Sequence, residues 1–337
     1  MKSLLLPPLS VLYGAVTRTR LSLYRRGTFH STKLDRPVIS VGNITTGGTG
    51  KTPLVEWVAR TVANDGKKVC ILTRGYGRDN PGRLVVVSDG HSVQATPAEA
   101  GDEPFLLATN LAGAAAVISS ADRVAAGNEA IKQLGTDCFV LDDGFQHLRL
   151  ERDLNIVTID ATNPWGGGSL LPYGRLREPL SGLERADCIV ITRTDQAGNL
   201  DQLRDEIRRH TGDIRIFQSR MQTTRITRLD GSLDAIVPPV AAFCAVGNPR
   251  SFFNQVPDEL VRETAFPDHH HYSQRDVDSL IDAAKHAGAN SLVTTAKDAV
   301  KLRSLSFYLP CYVLEIEPRI DNDAELIGLV LSAANQR

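Results

Sequence analysis

Short apolar runs alternate with amphipathic stretches along most of this chain. Residues 37–41, 68–73, 84–87, 114–118, 138–141, 154–160, 187–192 and 214–217 are apolar, many of them β-branched, and each is short enough for a buried strand. Between them, residues 54–60, 102–108, 200–209 and a stretch opening at Asp122 carry helical spacing. Near-continuous apolar strands separated by helices predict a mostly parallel sheet covered on both faces. A polar, turn-rich interval at 219–238 reads as a linker, and a second α/β pattern follows, with strands at 240–246 and 292–295 and an amphipathic helix at 323–334. The pattern predicts an α/β protein with an N-terminal helical segment (1–30), a core domain (31–222) and a smaller C-terminal α/β domain (223–337).

The first strand runs into Gly42-Asn43-Ile44-Thr45-Thr46-Gly47-Gly48-Thr49-Gly50-Lys51-Thr52-Pro53, and a helix follows. Strand, glycine-rich loop and helix are the setting of a phosphate-binding loop. Thr45, Thr46, Gly47, Gly48, Thr49 and Gly50 would turn backbone N–H groups toward an anion at the helix N-terminus. Lys51 would reach the β- and γ-phosphates, and the Thr52 hydroxyl would ligate magnesium. Thr45 stands where the common pattern has its first glycine.

Three further stretches end strands or open helices. Arg74-Gly75-Tyr76-Gly77-Arg78 follows the second strand, where a ligand crevice of an open α/β sheet lies. Gly101-Asp102-Glu103-Pro104 opens a helix, and its acids suit either the helix dipole or a site. Asp142-Asp143-Gly144-Phe145-Gln146-His147 ends an apolar run in two carboxylates, the way phosphate-loop proteins present an acid to magnesium. The long loop at 163–179 carries Trp165, Tyr173, Arg175 and Arg177, groups suited to a phosphate or an acyl chain. Thr192-Arg193-Thr194-Asp195 lacks the Asn and Lys of a guanine-reading motif. His269, His270 and His271 are adjacent and therefore point apart, which makes a poor chelate.

Composition changes little in this picture. Of 337 residues, 42% are hydrophobic and 23% charged, and 38 basic against 39 acidic side chains leave a net charge of −1. That balance supplies no bulk attraction to nucleic acid. The five cysteines sit singly in apolar runs, with neither a disulfide framework nor a zinc pair. The apolar N-terminus, studded with Arg18, Arg20, Arg25 and Arg26, falls short of the roughly 20 apolar residues of a membrane span. It suits either an interfacial helix or one docked on the protein's own core.

Taken together, the 42–53 loop, Thr73-Arg74-Gly75-Tyr76-Gly77, Gly101-Asp102-Glu103-Pro104, Leu141 to His147, Leu171-Pro172 with Gly174 and Leu176 to Pro179, Phe266 to His270 and Thr295 with Lys297-Asp298 resemble the tetraacyldisaccharide 4′-kinase (lipid A 4′-kinase) family. The resemblance spans most of the chain, and an atypical phosphate loop is itself a property of that family. It implies a kinase with ATP and Mg2+ as cofactors, acting on the 4′-hydroxyl of the tetraacyldisaccharide 1-phosphate precursor of lipid A. It also implies peripheral attachment to the cytoplasmic face of the bacterial inner membrane, which favours lipid contact for the N-terminal helix, with no nucleic acid and no obligate protein partner. By resemblance Lys51, Asp102 and His269 are catalytic, Asp102 as base. Thr52, Glu103, Asp142 and Asp143 are the metal set, and Arg74, Arg123 and Arg177 are candidate phosphate contacts. Two other readings fit the loop alone: a phosphate-loop kinase of a soluble metabolite, and a nucleotide-hydrolysing switch or metal-insertion protein.

Overall fold

The computed structural model describes residues 2–256, 259–268 and 270–336. Its chain forms two units, Met1–Arg220 with Arg319–Arg337, and Met221–Pro318. The first begins with α1 (Lys2–Arg25), β1 (Val38–Asn43), α2 (Lys51–Asn64), β2 (Val69–Thr73), β3 (Val85–Ser88), α3 (Pro97–Ala100) and α4 (Asp102–Asn110). It continues through β4 (Ala115–Ser119), α5 (Arg123–Leu134), β5 (Cys138–Asp142), β6 (Leu154–Asp160), β7 (Cys188–Thr192), α6 (Leu200–Thr211) and the start of β8 (Arg215–Arg228).

In this unit the strand order is β8-β7-β6-β1-β5-β2-β4-β3. Neighbouring strands from β8 through β4 pair in parallel, and β3 closes the edge antiparallel to β4. All residues of β1, β2, β4, β5, β6 and β7 are buried, which is why these strands read as unbroken apolar runs. The order reverses at β1, with β5 on one side and β6 on the other. A ligand crevice in such a sheet lies beyond the strands' C-terminal ends at this reversal.

The smaller unit, considered by itself, holds the rest of β8, then β9 (Val240–Cys244), α7 (Pro249–Phe253), β10 (Leu260–Ala265), α8 (Gln274–His286), β11 (Ser291–Thr295), α9 (Ala296–Leu302) and most of β12 (Cys311–Ile320). Its parallel strands run β10-β9-β11-β12. Buried Asp298 accepts hydrogen bonds from the Ala245 N–H at 3.0 Å and the Thr295 hydroxyl at 2.7 Å, tying α9 to the end of β9.

Two features depart from the linear reading. The interval expected as a linker is strand through Arg228, because β-branched and long polar side chains alternate there on a half-exposed ribbon. The C-terminal helix α10 (Asp323–Ala334), assigned by the linear division to the smaller unit, belongs to the first. Its Leu326, Val330, Ala333 and Ala334 join the core cluster containing Leu54, Val55 and Val58 of α2.

The N-terminal helix runs unbroken through Pro7 and Pro8. Its Ser10 hydroxyl donates to the Leu170 carbonyl at 2.6 Å and its Tyr13 hydroxyl to the Arg177 carbonyl at 2.8 Å. Gly14 lies so close to Leu170 that a Cβ there would stand 2.7 Å from it. On the other side Leu9, Leu12 and Val16 remain exposed. Successive turns of one helix therefore present a docking face and a separate apolar face. Among the described residues no helix is long and apolar enough to cross a membrane.

Leu326 is fully buried, so Leu326→Ala is expected to lower stability by about 2–5 kcal/mol through lost burial and a residual cavity. Urea unfolding measures this, and a loss below about 0.5 kcal/mol would remove α10 from the core, since that is the scale of ordinary surface substitutions.

Candidate active site

The phosphate loop hangs between the end of β1 and the start of α2, and side chains from other strands grip its backbone. Buried Asn43 donates through Nδ2 to the Thr45 carbonyl at 2.7 Å and to the Thr49 hydroxyl at 2.9 Å. Thr49 also meets Thr158 of β6 at 3.0 Å, and the Thr192 hydroxyl of β7 donates to the Thr49 carbonyl at 3.0 Å. From the other side the Thr46 N–H donates to the Arg175 carbonyl and the Arg177 N–H to the Ile44 carbonyl, both at 2.8 Å. Gly50, at φ 75°, occupies the left-handed region just before α2, where a side chain would also press on Thr192. Thr45 and Thr49 are buried, the Thr49 hydroxyl being held by Asn43 and Thr158, whereas Thr46, Gly47, Gly48, Gly50, Lys51 and Thr52 are more open.

Beside the loop, β5 delivers its two carboxylates in different states. Asp143 takes a left-handed backbone, φ 52°, and its carboxylate lies 2.6 Å from Arg177 Nη1 and 3.5 Å from Lys51 Nζ. Burial opposes its ionisation, yet Lys51 and Arg177 together hold its carboxyl below the usual range. Asp142 is pushed up to about 7, by burial first and then by the nearby charges of Glu103 and Asp143. It accepts a hydrogen bond from the Thr73 hydroxyl at 2.9 Å. The site thus gathers Lys51, Glu103, Asp142, Asp143 and Arg177.

Asp102 and Glu103 open α4, half-buried, under the loop that follows β2. The approach is tight: a Cβ on Gly75 would fall 2.6 Å from the Ala100 carbonyl, and one on Gly101 2.7 Å from the Tyr76 carbonyl. Both glycines have positive φ, so glycine is required twice over. Buried Arg78 completes the brace by donating to the Ser119 carbonyl at 2.8 Å. The sequence places Arg78 only within the crevice loop after β2; its burial as a brace is a tertiary fact.

A basic group lies on the same side. Arg123 is only 5% exposed, and its pKa is lowered by burial and then by the charge of Arg74, whose guanidinium sits over the Tyr76 ring at 5.0 Å. The His147 imidazole is pushed down to about 4 by burial and by Arg123, Arg152 and Arg20, so it is neutral at pH 7. Its Nε2 is a buried atom with no hydrogen-bond partner among the described residues. Gln146 is structural, donating to the Asn43 carbonyl at 2.8 Å and to Glu178 at 2.7 Å. Glu178, 1% exposed, also takes Arg185 at 2.7 Å.

His269 lies outside the described residues. Its neighbour His270 stacks on Phe266 at 4.6 Å with Nε2 3.5 Å from Asp276, and His271 is exposed. Among the described residues no group of three or more His, Cys, Asp or Glu forms a metal cage. A phosphate-bound magnesium needs only one or two protein carboxylates. The residues present fit such an ion: the Asp142 and Glu103 carboxylates repel each other beside the loop, and a cation between them would relieve that repulsion.

A phosphate loop and paired strand-end carboxylates at the reversal of a parallel sheet define a phosphate-loop nucleotide-utilising protein. The family model described as LpxK, Tetraacyldisaccharide-1-P 4′-kinase, matches residues 2–335. The tetraacyldisaccharide 4′-kinase of Geobacter sulfurreducens is 43% identical over 92% of this chain and 88% of its own. That of Syntrophus aciditrophicus is 39% identical over 98% and 92%. A solved structure of LpxK from Aquifex aeolicus in complex with ATP superposes with a TM-score of 0.79 at 31% identity, covering 99% of both chains. The chain belongs to the tetraacyldisaccharide-1-P 4′-kinase family.

The raised pKa of Asp142 carries a pH dependence. Its native carboxyl holds its proton up to about pH 7, whereas an exposed aspartate releases it near 3.8. The native state therefore binds more protons across that window, and stability falls as pH rises from about 4 to about 7. His147, depressed from 6.5 to about 4, acts in the opposite sense, losing stability as pH falls through the same range. In metal-free buffer, Asp142→Asn should be more stable than the parent at pH 8, with the gap closing toward pH 4. Thermal unfolding across pH measures the difference, and parallel profiles would show that Asp142 does not carry the shifted proton.

Proposed function

We infer that this chain is an ATP-dependent kinase that phosphorylates the 4′-hydroxyl of the tetraacyldisaccharide 1-phosphate precursor of lipid A. The observation that carries it is the family match over residues 2–335 on a chain whose phosphate loop, acidic helix start and strand-end carboxylates share one unit.

A sugar hydroxyl is a weak nucleophile, and phosphoryl transfer depends on alignment and on neutralising the transferring group. The backbone of residues 46–50 cradles the ATP phosphates, and Lys51 exchanges its contact with Asp143 for the β- and γ-oxygens. Asp102 accepts the 4′-hydroxyl proton as the oxygen attacks phosphorus, and the family resemblance alone supplies His269 as its supporting residue. Thr52, Glu103 and Asp142 would hold magnesium, with Asp143 close by as counterion of Lys51 and Arg177. When bound, that ion would neutralise charge on the β- and γ-oxygens. Arg74 and Arg123, two cations already crowding each other, are suited to an anionic substituent such as the sugar 1-phosphate, while Arg177 sets Asp143.

The exposed Leu9, Leu12 and Val16 face of α1, with exposed Arg18, Arg25 and Arg26, suits the surface of an anionic bilayer. The cytoplasmic face of the bacterial inner membrane is where ATP and such a surface meet, and the enzyme works there as a peripheral protein.

Incubation with γ-labelled ATP, magnesium and the disaccharide 1-phosphate lipid should transfer label to the lipid; an unlabelled lipid would sink the reading. Asp102→Ala should lower kcat at least about 10²-fold with ATP affinity retained, the loss typical of a positioned base. Turnover near the parent's would remove Asp102 from that role. Replacing Leu12 and Val16 together by Glu should release the protein from anionic vesicles in a flotation assay while leaving ATP binding intact, and undiminished flotation would exclude this face as the contact.

A further inference from the structure

The C-terminal end of β7 carries a residue that the mechanism above does not use. Arg193 has a left-handed backbone, φ 56°, and is 8% exposed, an unusual burial for a guanidinium. Its Nη2 donates to the carbonyl of Gly48, in the middle of the phosphate loop, at 2.6 Å. Its Nη1 pairs with Asp160 at the end of β6. Asp160 is equally buried, and its other oxygen accepts from the Thr162 N–H at 3.0 Å and hydroxyl at 2.7 Å. One side chain therefore spans from a braced carboxylate to a loop carbonyl.

The peptide plane gives this contact a direction. The Gly48 carbonyl and the Thr49 N–H belong to one trans peptide and point to opposite sides. An arginine holding the carbonyl on the β7 side turns the Thr49 N–H away from β7, and its charge polarises the peptide and strengthens that N–H as a donor. Thr192 does the same, uncharged, for the next peptide through the Thr49 carbonyl. We propose that Arg193 is a positioning residue for nucleotide phosphate: through the Gly48 carbonyl it orients and polarises the loop amides that receive the ATP phosphates, and Asp160 holds it there.

The proposal rests on reading residues 42–53 as the ATP site, and it differs from a purely structural brace in whether a charge at the Gly48 carbonyl suffices. Asp160 takes Arg193 on one oxygen and both Thr162 donors on the other, so a single amide oxygen cannot replace it. If Arg193 works by its charge on the loop, Arg193→Lys keeps a cation at that carbonyl and most of the phosphate affinity. If the pair is only a brace, Arg193→Lys, which cannot reach Asp160 as well, weakens binding as much as Arg193→Gln.

Isothermal titration of the full chain with ATP and, separately, tripolyphosphate, each with magnesium, tests this. Arg193→Gln should weaken both ligands by a common factor of about tenfold or more, the scale of a charged hydrogen bond. Arg193→Lys should lose less, because an ammonium can hold the Gly48 carbonyl without the fork that also reaches Asp160. Asp160→Asn, which frees Arg193 from its anchor but leaves its charge, should weaken both ligands by a common factor smaller than that of Arg193→Gln. Arg193→Gln binding within about threefold of the parent, or a loss for ATP alone, would overturn the proposal, because a contact to the loop backbone acts on phosphate whatever is attached to it. So would Arg193→Lys weakened as much as Arg193→Gln. Should Arg193→Gln fail to fold, Arg193→Lys decides, and a loss of about tenfold or more for both ligands overturns the proposal. A parent that binds neither ligand overturns the site reading itself, whereas a parent that binds both with an unaffected Arg193→Gln overturns only the role of Arg193.

Discussion

Asp143 is the point on which the site is assembled. Its carboxylate takes Lys51 from the phosphate loop and Arg177 from the long loop after β6, and so joins three segments distant in sequence. Arg177 extends the connection, since its N–H holds the Ile44 carbonyl and its own carbonyl receives Tyr13 of the N-terminal helix. A buried ion pair adds little net stability, but removing one partner leaves a desolvated charge, at about 3–5 kcal/mol. The arrangement therefore specifies geometry more than it adds stability.

That geometry links the amphipathic helix to the catalytic centre. The side of α1 carrying Ser10, Tyr13 and Gly14 is committed to the residue 170–177 segment, which in turn flanks the phosphate loop at Thr46. The side carrying Leu9, Leu12 and Val16 stays exposed. Of the alternatives left by the N-terminal sequence, docking on the protein is what one face of the helix does, and the other face is exposed.

The electrostatics divide the labour among residues that look alike in sequence. Asp142 and Asp143 are neighbours, yet one is raised by burial and by Glu103 while the other is held ionised by Lys51 and Arg177. Arg74, Arg123 and Arg177 are likewise distinct, since Arg177 has its counterion in Asp143 while Arg74 and Arg123 face each other. The loop's own threonines are split between Thr45 and Thr49, which are buried, and Thr46 and Thr52, which are more open.

The sequence by itself determined the parallel sheet, the phosphate loop, the acidic helix start and the strand-end carboxylates. Each is a local pattern: an apolar run marks a strand buried on both faces, and glycines before Lys51 mark a loop that must approach an anion. It also carried the family, because several such patterns occur together in order. Only the tertiary structure decided that α10 packs on α2, that β8 extends through the expected linker, and which of two adjacent aspartates meets Lys51. It alone showed Arg78, Glu178 and Arg193 buried as braces, although all three were visible as charged residues. Burial and pairing of a charge depend on which strand ends lie side by side, and residues 48, 160 and 193 meet only because β1, β6 and β7 are neighbours in the sheet.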